Sequence, residues 1–111
     1  MDGIENAKIT DYSIGYESHG IFVMSVRLHG ESWGQSFGNY CLGSFIDWYE
    51  SPNYAFWFID SVLKVVGVYD VKDLIGSPVR IERKDGIIIA IGNFMEDKWF
   101  NPSKELEFLT V

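Results

Sequence analysis

The side chains in this sequence that could do chemistry are few, and their spacing decides what chemistry is open to them. The nitrogen and sulfur donors are His19, His29 and Cys41. No His-x-x-His or Cys-x-x-Cys spacing joins them, so neither a metal nor any other cofactor is expected. A lone Cys excludes an intrachain disulfide and suits a reducing cytoplasm. Nucleophilic catalysis would need a Ser or Cys beside a base and an orienting carboxylate. A hairpin centred on Gly30-Glu31 would set His29 beside Ser32 and carry Cys41 toward Gly20, away from His29. No nucleophile-elbow motif surrounds these groups. A small hydrolase using Ser32, His29 or Cys41 therefore ranks last among the readings. Asp70/Asp73 reads as helix capping, whereas Asp47/Glu50 and Glu96/Asp97 flank aromatic loops and read as solvated charge. Gly30, Gly34 and Gly38 lack the Gly-Lys-Ser/Thr and the helix start of a phosphate loop.

What remains is binding chemistry. Trp33, Gln35, Phe37, Asn39 and Tyr40 combine flat aromatic faces with amides. Arg27 and His29 project from the preceding strand, and Arg80, Arg83 and Asn93 lie on a later hairpin. Trp33, Gln35, Phe37, Asn39, Arg80 and Asn93 would suit a pocket for a planar anionic ligand such as a nucleotide. Aromatics of this kind serve a protein interface or a core equally well. A second set, Asp47, Glu50, Asp60, Glu96 and Asp97 with Trp57 and Trp99 as apolar anchors, suits docking on a basic protein surface.

The composition narrows the partners. The chain has 111 residues, 47% of them hydrophobic and 23% charged, which predicts one globular domain spanning 1–111. Nine Lys+Arg against sixteen Asp+Glu give a net charge of −7. That balance lacks the footprint of a direct nucleic-acid binder and would be repelled by anionic membranes. No stretch approaches the ~20 apolar residues of a membrane span. The acidic start, Met1-Asp2-Gly3-Ile4-Glu5-Asn6, is no signal peptide. A soluble cytoplasmic protein is expected. Eight Phe, six Tyr and four Trp are many for this length and favour a homodimer.

Periodicity supplies the elements that must position these residues. Residues 7–17 carry Ile9, Tyr12, Ile14 and Tyr16 and predict a first strand. Residues 21–29 alternate cleanly, with Phe22, Met24, Val26 and Leu28 facing the core. Residues 32–42 predict a third antiparallel strand, making a meander. On that strand Ser32, Gly34, Ser36 and Gly38 share one bare face, which is expected to accept the domain's own helix or aromatic side chains, with a ligand as the alternative. Residues 43–53 read as a loop. Ser51-Pro52 signals a helix running to Val66 and stopping at Gly67, with Ala55, Ile59, Val62 and Val66 as its apolar row and Phe58, Leu63 and Val65 widening the stripe. Asp60 and Lys64 form an i,i+4 pair on its polar side, near Trp57. Residues 70–76 predict one capped turn of helix. Residues 79–83 and 87–94 form a hairpin around Asp85-Gly86. The tail to Pro102 folds back as a loop or short edge strand. The order βββαββ predicts an α+β fold, one antiparallel sheet with the main helix packed on a face.

Five stretches, 34–40, 58–68, 79–81, 91–92 and 97–102, resemble elements of a family of small proteins encoded by tailed phages and prophages. Gly34-Gln35-Ser36-Phe37-Gly38-Asn39-Tyr40 is similar to its G-x-G-F-G-G-Y element. Phe58-Ile59, Val62-Leu63 and Val65-Val66-Gly67-Val68 resemble its helix and V-V-G-V stop. Val79-Arg80-Ile81, Ile91-Gly92 and Asp97-Lys98-Trp99-Phe100-Asn101-Pro102 resemble its last elements. Ser36 and Asn39 stand where that pattern has Gly, and Asn93 where it has His. The resemblance implies a counter-defence protein acting in an infected bacterial cell. One form is an anti-CRISPR-like, non-enzymatic inhibitor that binds a Cas-type host immune protein where nucleic acid would lie. The alternative is a sponge for a cyclic nucleotide or cyclic ADP-ribose signal, like Thoeris anti-defence proteins.

Overall fold

A computed structural model describes residues 2–17, 20–38, 43–44 and 54–109. The chain runs β1 (Gly3–Tyr16), β2 (Ile21–His29), β3 (Gly34–Gly38), β4 (Gly43–Ser44), α1 (Tyr54–Val66), a 3₁₀ turn (Val71–Leu74), β5 (Pro78–Lys84), β6 (Ile87–Asn93), β7 (Trp99–Phe100) and α2 (Pro102–Leu109). The described strands form one antiparallel sheet in the order β3-β2-β1-β5-β6-β7, with β4 also paired along β2. The main helix covers one face, so the fold is α+β.

Strand β1 is longer than its alternation announces. Residues 8–16 pair with β2, and residues 3–8 pair with β5, Gly3 lying opposite Arg83. The first few residues carry little apolar pattern, and the partner strand makes them extended. The β5–β6 hairpin follows the sequence directly. Asp85 and Gly86 have φ of 54° and 77°, the two left-handed central residues of a type I′ turn.

The β2–β3 turn departs from expectation. It spans Gly30–Trp33, closed by the Gly30 N–H on the Trp33 carbonyl at 3.0 Å. His29 therefore pairs with Gly34 and not with Ser32. The third strand is described as ending at Gly38, and Gly43–Ser44, expected in a loop, is a short strand because β2 has backbone groups left to pair at Ile21 and Phe22.

Helix α1 packs Phe58, Val62 and Val65 inward, all three within the expected apolar stripe, while Ala55, Ile59 and Val66 lie at its half-buried margin. Beneath it lie Ile9, Met24, Val26, Leu28, Val79, Ile81 and Ile91, all but sealed from solvent. An aromatic cluster joins the two sheet edges, which converge so that Phe37 of β3 meets Phe100 of β7 edge-on at 6.4 Å. Phe58 stacks on Phe37 of β3 at 6.3 Å and meets Phe100 of β7 edge-on at 5.2 Å. The tail makes the edge strand β7, and then a second helix that the sequence reading omitted. Asn101 caps α2, its Oδ1 accepting the Lys104 N–H at 3.2 Å, and Pro102 takes the first helical position. The predicted start of α1 at Ser51-Pro52 lies outside the described residues.

Phe58→Ala removes the helix ring that packs on both Phe37 and Phe100. It should lower the unfolding free energy by about 3–5 kcal/mol in a urea titration.

Candidate functional site

The bare face of β3 is covered, but not by the helix. A Cβ on Gly34 would stand 2.6 Å from the His29 ring and 3.0 Å from Arg27 Nη2. The missing side chain at Gly34 lets the Arg27 and His29 side chains of β2 reach over the edge strand. Arg27 Nη1 donates to Ser36 Oγ at 3.4 Å, and His29 Nδ1 shares a 2.8 Å hydrogen bond with Thr10 Oγ1. The helix packs instead on the opposite parity, through Phe37. His29 is thus engaged away from Ser32, and no Ser–His couple forms there.

The residues proposed for a ligand pocket separate into two structural knots. Phe37 is core, 2% exposed, and Gln35 is half-buried beside it. Trp33 donates its indole N–H to Glu5 Oε1 at 3.3 Å. The Arg83 guanidinium lies 4.5 Å over the same ring and pairs with Glu5 through its other oxygen. This knot closes one end of the helix-side core. Arg80 belongs to the other sheet face. Its Nε donates to the Asn93 carbonyl and its Nη2 to the Glu96 carbonyl, both at 2.8 Å. Its guanidinium lies 4.9 Å over Trp99, whose ring fills the space a Cβ on Gly92 would need, 2.7 Å away. Asn93 faces the helix. Its Nδ2 donates to the Val65 carbonyl at 2.9 Å, and its Oδ1 accepts the Met95 and Glu96 N–H groups at 2.9 and 2.8 Å. Asn39 lies outside the described residues. The other five do not converge on one cavity.

The acidic set divides likewise. Asp47 and Glu50 lie outside the described residues. Asp60 pairs with Lys64 at 3.0 Å, as its spacing predicts, and Glu96 pairs with Lys98 at 3.1 Å. Asp97 is exposed. Trp57 meets Phe100 at 5.4 Å and Phe58 at 6.0 Å, so its ring packs at the core margin. Trp99 is half-buried under Arg80. Neither Trp stands out as an apolar anchor.

The exposed apolar groups are others. Among the described residues Tyr69 is fully exposed and Met95 85%, Phe94 is 40% exposed, and Ile4, Tyr16, Phe56, Ile75 and Ile87 stand out singly elsewhere on the surface. The Asn93 amide ties the β6–β7 turn, which carries Phe94 and Met95, to the last carbonyls of α1, three and four residues before Tyr69 in the chain. Asp70, Glu96 and Asp97 are exposed on the same two segments. The sequence signal was available: Phe94-Met95 and Tyr69 are large apolar residues set in charged turns, where core packing has no call on them.

A depression of about 420 Å³ lies between the helices, lined by Ser61, Lys64, Val65, Lys98, Trp99, Phe100 and Glu105. Burial raises the Glu105 carboxyl above its ordinary value of 4.5. Among the described residues no cluster of His, Cys, Asp and Glu could hold a metal ion, and no helix is long and apolar enough to cross a membrane. No family model matches the chain, and no curated protein or solved structure is significantly similar to it.

Two outcomes follow from these contacts. Asn93→Ala strips a helix carbonyl and two turn amides of their partner and should cost about 1–3 kcal/mol in chemical denaturation. The Glu105 proton is held more tightly by the folded than by the unfolded chain. Its contribution to stability is present below the ordinary value and is lost as pH rises through the folded value. Measured against Glu105→Gln, the wild type should lose stability across that rise.

Proposed function

We propose that this domain works by stoichiometric binding and not by turnover. It docks the Tyr69–Phe94–Met95 corner, with the carboxylates of Asp70, Glu96 and Asp97 beside it, on a basic surface of a protein partner. The observation that carries this reading is Met95, 85% exposed at the tip of a turn that Asn93 and Arg80 hold rigid. A preorganised apolar tip loses little conformational freedom on docking. The surrounding carboxylates steer it toward cations and away from acidic surfaces. Net charge of −7 supports the same kind of partner. With the phage-protein resemblance, the class is a non-enzymatic inhibitor of bacterial immunity of the anti-CRISPR kind. It would occupy the groove in which a Cas-type protein holds nucleic acid.

The test is titration of the purified protein into a guide-loaded Cas-type effector, reading complex formation and target-DNA binding. Affinity should fall steeply with added salt. Met95→Ala and the pair Glu96→Lys, Asp97→Lys should each weaken binding tenfold or more, about 1.4 kcal/mol. Binding indifferent to salt and to both changes would overturn the docking corner. A rise in melting temperature with a cyclic nucleotide or a cyclic ADP-ribose isomer would replace it with signal sequestration.

A further inference from the structure

We infer, independently of the docking corner, that the solvent side of the sheet above Gly34 is a binding site for a phosphate monoester, held by Arg27, His29 and Ser36. The point that a Cβ on Gly34 would occupy lies 2.7 Å from His29 Nε2 and 3.0 Å from Arg27 Nη2, so two nitrogens converge where the strand has no side chain. Arg27 Nη1 donates to Ser36 Oγ at 3.4 Å, which leaves the Ser36 hydroxyl proton to point the same way. Lys8 stands directly opposite His29 across the β1–β2 ladder. Lys8, Arg27, His29, Gly34 and Ser36 are all exposed.

The occupant follows from charge. Acidic residues outnumber Lys+Arg by sixteen to nine, and Arg83, Lys64 and Lys98 each have a carboxylate partner. Among the described residues neither Lys8 nor Arg27 has one. Asp11, opposite Arg27 on β1, turns Oδ1 to the Tyr12 N–H at 2.8 Å. Like charges set across a sheet repel, and an anion between them reverses the sign. The guanidinium fork matches phosphate oxygens, and a monoester brings up to two charges where a backbone diester brings one. A depression of about 510 Å³ opens beside His29, lined also by Glu5, Asn6, Lys8 and Glu31. Its polar walls suit the hydroxylated body of a small ester. Thr10 sets the protonation that binding needs. Its hydroxyl donates to the Arg27 carbonyl at 3.4 Å, so the imidazole donates the 2.8 Å bond at Nδ1. Nε2 then carries a hydrogen only in the imidazolium. The charged groups around the ring are Lys8 on β1, Arg27 on β2 and Glu31 in the turn, and β3 contributes none. An anion beside the ring favours the imidazolium, so binding takes up a proton.

The test titrates sulfate, inorganic phosphate, glycerol phosphate and a short oligothymidylate into the full chain at constant ionic strength, reading the His29 ring resonances by NMR. Sulfate carries the pH comparison, because its own charge is constant over the range. Saturable shifts are expected at millimolar sulfate, with binding about tenfold tighter at about pH 5.5 than at about pH 8. Arg27→Gln should abolish saturation and leave the melting temperature in place, since the side chain is exposed and makes one long bond. His29→Gln should retain weaker binding and lose the pH dependence. Glycerol phosphate should bind tighter than inorganic phosphate, and the oligonucleotide weaker than both. Shifts that grow linearly with sulfate, or that persist unchanged in Arg27→Gln, overturn the site. Glycerol phosphate binding no tighter than inorganic phosphate overturns the ester. An oligonucleotide that binds tightest of all replaces the monoester with a nucleic-acid backbone.

Discussion

Strand β1 pairs with β2 along its second half and with β5 along its first, and every larger feature of the fold depends on that double engagement. The β1–β2–β3 meander and the β5–β6–β7 unit are each built from neighbours in sequence. Only β1 makes them one sheet. It thereby places Phe37 and Phe100, from opposite edges, under the same helix at Phe58. A core divided between two small sheets would leave each half with an open apolar face and too little area to offset its chain entropy.

The second constraint is local. Asn93 satisfies a carbonyl of α1 with its amide nitrogen and two turn amides with its oxygen. Arg80 fastens the same turn from the other face of the sheet, through two carbonyls and the Trp99 ring. Residues that by type resemble ligand-binding groups are here spent on holding backbone. Polar side chains that satisfy several backbone groups at once stiffen what they hold, and what they hold is the turn that presents Phe94 and Met95. Their consequence for function is thus indirect.

Legibility in the sequence tracked the range of the interaction. The β2 alternation, the Asp85-Gly86 turn, the Gly67 stop and the Asp60–Lys64 pair are set by residues a few positions apart, and each reads correctly. The first residues of β1 and the strand at Gly43–Ser44 exist because distant backbone needed a partner, and no local pattern marks them. Helix α2 was missed although Asn101-Pro102 announces it, because the charged stretch before it read as loop. The candidate site was less legible than the fold. Trp57, Phe37, Arg80 and Asn93 have binding-type side chains, and whether such a group faces solvent or backbone is decided by packing. Tyr69 and Met95 could have been found as apolar residues stranded in turns.

The placement of Gly3 opposite Arg83 also sets an order of events during synthesis. The first half of β1 is made before β2, β3, β4 and α1, and its partner β5 only after them. Until then that segment and the apolar flank of the meander have no place to pair, while the meander itself can already form. Joining the halves requires closing a loop that contains the helix and both hairpins' turns, a step governed by chain entropy more than by local preference. The nascent chain therefore carries an unpaired strand segment throughout the interval before β5 emerges.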